Sequence, residues 1–155
     1  MKIQDVLQKK GILTDLKAAD KNELLTQMVR YLASVYDLKN VDAIHQKIFE
    51  REAQMSTGIG YGIAIPHARL DNIDGVFMIA ARCVKGVEFG AIDDQPVHII
   101  FLMISPTNAS AELTGILSTL SRIMSYEEMR EKLLVQDDAE SFLDALVDGE
   151  NRYAA

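Results

Sequence analysis

The chain has few of the residues that cross-link a protein, bind metal or cross a membrane. Cys83 is the only cysteine among the 155 residues, so no disulfide forms within the chain, and neither a cysteine pair nor a His-x-His spacing offers a metal site. No long apolar run is present, and the N-terminus alternates apolar with charged residues, unlike a signal peptide. We therefore expect no metal, no direct membrane insertion and a cytoplasmic location.

Basic residues are also in deficit, with 16 Lys and Arg against 23 Asp and Glu and a formal net charge of −7. This charge repels a phosphate backbone, and no basic run with interleaved aromatics offsets it, so nucleic acid is not an expected partner. The acidic excess suits docking on a basic protein surface, although most carboxylates are expected to solvate helix faces. A hydrophobic content of 48% indicates a globular domain.

The first half of the chain predicts three helices and one strand. Asp20 with Glu23 forms a capping box ahead of apolar residues at helical spacing, which predicts an amphipathic helix that begins at this box. The predicted elements are a short helix within residues 1–10, a strand over Gly11–Leu16, a helix from Asp20 to about Val35 and a helix over about Asn40–Gln54.

The second half predicts buried strands followed by helices. The apolar runs 75–83 and 97–105 have strand length, and the second is continuous enough for a central strand. A hairpin or edge excursion is expected around 87–89. Three helices are then predicted: one over 109–124, a second that begins at a Ser125/Glu128 capping box, and a third that begins at an Asp137/Glu140 capping box. We predict an α/β (α+β) fold: one compact domain over residues 1–155, with a mixed central β-sheet flanked by helices on both faces.

A glycine-rich segment, STGIGYGIAIPH over Ser56–His67, interrupts this pattern and reads as a shaped loop that enters a strand. His67 at its end is the candidate nucleophile, because a neutral imidazole has one nitrogen lone pair that can attack phosphorus without a separate base. An isolated histidine is more often a packed or surface residue than a catalyst, so the residues alone leave both interpretations open.

Phosphoryl transfer needs alignment and charge compensation more than covalent work by the protein. Arg51 is the candidate for holding two phosphoryl oxygens, and Ser56, Thr57 and Gly58 are the candidates for a phosphate cradle built from hydroxyl and N–H donors. Pro66 is expected to fix the approach of His67. No cofactor is required by this chemistry.

The segment EAQMSTGIGYGIAIPHA, from Glu52 to Ala68, closely resembles the signature around the phosphorylated histidine of fructose/mannitol-class (type 2) enzyme IIA domains of the phosphoenolpyruvate-dependent phosphotransferase system. Lys21 and Glu23 at a helix start and the AIDDQPVHIIFLMISP segment are similar as well. The resemblance implies that His67 receives phosphate on Nε2 from a phosphorylated HPr-like carrier, with help from Arg51. It also implies an acceptor, either a IIB domain or a regulatory or transport protein, with a slight preference for the nitrogen-regulatory branch.

Two positions depart from the family pattern. Leu113 stands where many members carry a second histidine, and Tyr61 stands where relatives often have Asn. His98, inside an apolar strand, is expected to lie far from His67, and His45 is expected on a helix surface. Met55, Met103 and Met124 are expected as core fillers, and Cys83 as a small apolar residue.

Two functions follow as hypotheses. The first is an active phosphocarrier that shuttles phosphate through His67. The alternative, suggested by Leu113, is a regulatory binding module that docks on a kinase or transporter and is phosphorylated weakly. A purely structural domain is the least favoured interpretation, because it leaves the glycine-rich segment without a role.

Overall fold

The fold was analysed in a computed structural model, which describes residues 1–154. The helices are α1 (Ile3–Val6), α2 (Lys21–Val35), α3 (Val41–Gln54), α4 (Ser110–Met124), α5 (Glu127–Leu134) and α6 (Ala139–Tyr153). The strands are β1 (Leu7–Leu13), β2 (Gly58–Gly60), β3 (Ile63–Ala64), β4 (His67–Leu70), β5 (Phe77–Val87) and β6 (Val97–Pro106). A short 3₁₀ turn over Thr107–Ala109 precedes α4.

The six strands form one mixed sheet in the order β1-β5-β6-β3-β2, with β4 paired to β6 beyond the end of β3. β5 and β6 run antiparallel, whereas β1 is parallel to β5, and β3 and β4 are parallel to β6. Ile63 lies opposite Ile99 and His67 lies opposite Met103, so β3 and β4 follow one another along the same edge of β6. The sheet thereby places His67 at the start of a strand beside the central strand.

The side chains of the central strands alternate between two apolar cores, one on each face of the sheet. Phe101 and Met103 face a core formed with α1, α4, α5 and α6, whereas Leu102 and Ile104 face a core formed with α2 and α3. Both faces of β6 are buried, which explains its nearly continuous apolar sequence. The predicted fold class, a mixed sheet with helices on both faces, is confirmed.

Several predicted boundaries differ from the structure. The first strand is Leu7–Leu13 rather than Gly11–Leu16, because Leu7 already pairs with Met78 of β5 and the strand ends at Leu13. The strand predicted over 75–83 runs from Phe77 to Val87 as β5. Of the two alternatives expected around 87–89 the hairpin is confirmed, since β5 pairs antiparallel with β6 and their connection starts after Val87.

Two of the predicted helix caps are also wrong. α6 is capped by Asp138, whose carboxylate accepts from the Ser141 N–H at 2.8 Å, one residue after the predicted Asp137. α5 has no side-chain cap, because the Ser125 hydroxyl donates to the Arg122 carbonyl instead. The Asp20 cap is confirmed, since its carboxylate accepts from the Glu23 N–H at 2.8 Å.

Candidate phosphohistidine site

His67 is half-buried at the first position of β4, and one of its ring nitrogens is committed to the backbone. Nδ1 lies 2.7 Å from the Ile65 carbonyl oxygen. Because a carbonyl only accepts, Nδ1 carries the proton and donates, and the neutral ring keeps its lone pair on Nε2. The local fold therefore leaves Nε2 as the nitrogen with the free lone pair.

The surroundings of His67 lower the pKa of its imidazole below the ordinary value. Burial is the largest cause, and the charges of Arg51 and Arg69 lower the pKa further, while the hydrogen bond to Ile65 and the charge of Glu52 act in the opposite direction. The ring is thus neutral over a wider pH range than a free histidine, which keeps Nε2 available for attack on an electrophile.

Arg51 comes from the last turn of α3 and lies near enough to His67 for its charge to act on the imidazole. Its Nη1 donates to the Met55 carbonyl at 2.8 Å, which anchors the guanidinium beside the glycine-rich segment. A guanidinium has five N–H donors, so this anchor leaves donors for an anion.

The three predicted cradle residues lie on the segment that enters β2, and their donors make contacts inside the protein. The Thr57 N–H and hydroxyl donate to the two carboxylate oxygens of Glu52 at 2.7 and 2.6 Å. The Gly58 N–H donates to the Ser56 hydroxyl at 3.1 Å, and that hydroxyl donates to the Phe89 carbonyl at 3.2 Å. An anion would have to exchange one of these contacts to use such a donor.

Arg69 belongs to the site, although the sequence interpretation assigned it no role. It follows His67 by two residues in β4, so both side chains point to the same face of the sheet. Its Nε donates to the Ser110 hydroxyl at 3.0 Å, at the start of α4. The strand period of two was the signal that identifies Arg69 as a second cation beside the imidazole.

Lys21 and Glu52 form an ion pair behind the glycine-rich segment, with the carboxylate buried and the ammonium partly exposed, which the sequence interpretation also did not assign. Lys21 Nζ lies 3.1 Å from Glu52 Oε1, with side-chain exposures of 26% and 4%. Lys21 also donates to the Phe89 carbonyl at 3.0 Å and lies over the Phe89 ring. Lys21, the first residue of α2, and Glu52, in the last turn of α3, lie 31 residues apart, and the sequence carries no signal that they pair.

No group of three or more His, Cys, Asp or Glu side chains within residues 1–154 is arranged to hold a metal ion. Over the same residues, no helix has both the length and the apolar composition needed to span a bilayer.

The same chain is similar to known proteins. The family model described as "Phosphoenolpyruvate-dependent sugar phosphotransferase system, EIIA 2" matches residues 5–148. The chain belongs to the EIIA 2 family. The predicted family is thus confirmed, and membership makes this EIIA chain a phosphotransferase of the phosphocarrier kind, whose partners are other proteins of the phosphotransferase system.

Relatives of this EIIA chain come from two functional branches. It is 32% identical to the fructose-specific EIIABC component of Bacillus subtilis, over 94% of the chain but only 23% of that longer protein. It is 30% identical to a nitrogen regulatory protein of Bradyrhizobium diazoefficiens, over 94% of the chain and 95% of the relative. The crystal structure of IIA-Ntr from Neisseria meningitidis matches with a TM-score of 0.87 and 30% identity, over 93% of this chain and 98% of that one.

The positions that depart from the EIIA pattern have defined places in the fold. Leu113 lies in the first turn of α4 and is fully buried in the core on the α4 face, so no second imidazole stands there. Tyr61 is 69% exposed, with its ring 4.3 Å from the Arg130 guanidinium carbon. Its backbone is left-handed at φ 59° and its N–H donates to Asp93.

The remaining predicted residues divide between confirmed and corrected. His98 is the second residue of β6, where it contacts the Cys83 carbonyl, five residues before the partner of His67. His45 is half-buried, stacked on Phe49 and bonded to Thr26, rather than on an open helix surface. Met103, Met124 and Cys83 are buried as expected, but the prediction for Met55 is wrong: it is 73% exposed, because α3 ends before it and the chain turns outward.

Proposed function

We propose that His67 is the phosphoacceptor of this EIIA chain, through attack of Nε2 on the phosphoryl group of a donor protein. The observation that carries the proposal is the 2.7 Å contact between Nδ1 and the Ile65 carbonyl, which leaves the lone pair on Nε2. The new N–P bond forms as the bond between phosphorus and its leaving atom on the donor breaks. The lowered pKa supports this role, because a neutral ring is the nucleophilic form.

We propose Arg51 as the residue that compensates the phosphoryl charge, with Arg69 on the same face as His67 as a second cation. Both charges lower the pKa of the unphosphorylated imidazole, which supports a role for both cations in balancing a phosphoryl group on it. Ser56, Thr57 and Gly58 are proposed as the cradle. Since their donors are engaged internally, we expect the arginines to contribute the larger share of charge stabilisation.

The proposed donor is a phosphorylated HPr-like protein, and the proposed acceptor is a IIB domain or a regulatory or transport protein, in the cytoplasm. The fructose-specific and nitrogen regulatory relatives support these two kinds of acceptor about equally by identity, and the high TM-score to IIA-Ntr supports the nitrogen-regulatory branch. A single buried cysteine that is not cross-linked suits a reducing compartment.

The test is phosphorylation of the purified protein by phosphoenolpyruvate, enzyme I and HPr, read as intact mass. We expect one acid-labile phosphoryl group on the wild type and on His45→Ala and His98→Ala, and none on His67→Ala. A phosphoryl group retained by folded His67→Ala would overturn the assignment of His67.

The second candidate function is a regulatory module that is phosphorylated weakly, and the observation that favours it is the buried leucine at position 113. In the same experiment, a wild type that stays unmodified while a control EIIA domain is phosphorylated would support this function over the carrier.

A further inference from the structure

The Lys21–Glu52 pair and Thr57 form a closed polar cluster that phosphoryl transfer does not use directly. The Glu52 carboxylate, 4% exposed, accepts from the Thr57 N–H, the Thr57 hydroxyl and the Lys21 ammonium. Removing two charges from water is costly, and a buried pair is retained at a net benefit only with such full satisfaction. A cluster of this kind specifies one arrangement of the chain around it.

The cluster is connected to His67 by two backbone hydrogen bonds. The Thr57 carbonyl accepts from the Ile65 N–H at 3.0 Å, and the Ile65 carbonyl accepts from His67 Nδ1 at 2.7 Å. Fixing Thr57 therefore fixes the N–H side of Ile65, the residue whose carbonyl selects the His67 tautomer.

The same cluster also holds the segment around Phe89. Lys21 and the Ser56 hydroxyl both donate to the Phe89 carbonyl, at 3.0 and 3.2 Å. The Gly58 position is packed so closely on Ala91 that a Cβ there would lie 2.7 Å from the alanine Cβ. The starts of β2 and of α2, the end of α3 and the segment around Phe89 thus meet at Glu52.

We propose that Glu52 and Lys21 are positioning residues, which act through Thr57 and Ile65 to keep His67 in the Nδ1–H tautomer with Nε2 free. The expected effect on the phosphorylation rate rests on the proposed function, in which His67 is the phosphoacceptor. The tautomer itself is a property of the unphosphorylated protein.

The backbone of β4 supplies the competing explanation. Met103 donates to the Pro66 carbonyl at 3.0 Å, and β4 pairs with β6 from His67 onward, so the sheet alone holds the Pro66–His67 peptide, which follows the Ile65 carbonyl. If the sheet suffices, a change in the Glu52 cluster leaves the ring of His67 as it is.

The deciding measurement is the His67 tautomer, read from long-range ¹H–¹⁵N NMR of the unphosphorylated protein, together with the rate of phosphorylation by HPr. In the wild type we expect the Nδ1–H tautomer alone. In Glu52→Gln we expect a mixture that contains the Nε2–H form, and a rate lowered by about tenfold to a hundredfold, because small misplacements of a reacting group have effects of this size.

Matched variants separate positioning from general damage. Glu50→Gln alters an exposed glutamate two residues earlier on α3 and is expected to match the wild type in both readouts. Thr57→Val removes the hydroxyl donor and is expected to behave as Glu52→Gln, whereas Thr57→Ser retains both donors and restores the wild-type tautomer. If Glu52→Gln does not fold, the Thr57→Val and Thr57→Ser pair provides the same comparison.

Folded Glu52→Gln or Thr57→Val with the wild-type tautomer would overturn the positioning role, even if His67 is phosphorylated. Conversely, a shifted tautomer in these variants would support the positioning role even if the wild type accepts no phosphate, in which case the proposed function alone fails.

Discussion

β6 and the glycine-rich segment over residues 56–67 lie side by side, yet they are held in different ways. β6 is fixed by apolar side chains on both faces, and its residues from Val97 to Ser105 are buried apart from the half-buried His98. The glycine-rich segment is fixed by a few specific polar contacts, chiefly Glu52 with Thr57 and Ser56 with Phe89. Many apolar contacts together stabilise the strand, whereas a few single polar contacts set the geometry of the site.

The largest expected effect that separates the two regions is on stability. Phe101→Ala in β6 removes a fully buried ring and is expected to lower the free energy of unfolding by about 3–5 kcal/mol. Because the contacts of Thr57 and Ile65 are left in place, the folded protein should keep the His67 tautomer. Urea unfolding measures the free energy of unfolding, and NMR of the folded protein, below the unfolding transition, measures the His67 tautomer.

Val84→Ala, at an exposed position of β5, serves as the control and is expected to change stability by less than about 0.5 kcal/mol. A tautomer mixture in folded Phe101→Ala would show that core packing, rather than the polar contacts, sets the orientation of the ring.

The pH dependence of stability isolates one residue of the site. The folded pKa of His67 is lowered, so between that value and the unfolded value of about 6.5 the unfolded chain binds more protons. The stability contributed by the neutral ring is therefore present above about pH 6.5 and is lost as the pH falls through the folded pKa. Urea unfolding from pH 7.5 to 5 should show a steeper decline for the wild type than for His67→Gln.

Arg51→Met sharpens this result, because removing a cation that lowers the pKa of His67 should raise that pKa in an NMR titration. Arg30→Met, an exposed change on α2, provides the control and should leave the titration unchanged. In the urea experiment, an equal decline of stability with falling pH for the wild type and His67→Gln would mean that the His67 ring has the same pKa in the folded and unfolded chains.

The contrast between the two regions also explains what the sequence predicts. β6 and α2 were predictable because each has many apolar residues that follow one periodic pattern, so the interpretation of the whole element does not depend on any single residue. The start of β1 was missed because Gln8, Lys9 and Lys10 are exposed and show no apolar alternation, although Leu7 pairs with β5. Asp137 was mistaken for the cap because neighbouring aspartates differ only in their backbone geometry.

At the site, the candidate residues His67 and Arg51 came from a motif, whereas their supports did not. Glu52 and Lys21 pair across two helices, and Arg69 meets Ser110 from a distant helix, so each partner depends on the tertiary fold. Polar contacts that occur once, between residues far apart in sequence, leave no periodic pattern to detect.

The smallest expected effect concerns Tyr61, where the glycine-rich segment combines a strained backbone with a compensating contact. A left-handed backbone costs a tyrosine about 1 kcal/mol, and the stacked Arg130 returns about 0.5–1 kcal/mol. Tyr61→Asn relieves the backbone strain but loses the Arg130 contact, so its free energy of unfolding should lie within about 0.5 kcal/mol of the wild-type value. Tyr61→Leu keeps the strain and loses the contact, so it should be the less stable of the two in urea unfolding. Equal losses of stability in Tyr61→Asn and Tyr61→Leu would mean that the Arg130 contact, and not the left-handed backbone, decides the stability of this turn. A single side-chain contact would then hold the exposed turn at Tyr61, as single polar contacts hold the rest of the glycine-rich segment.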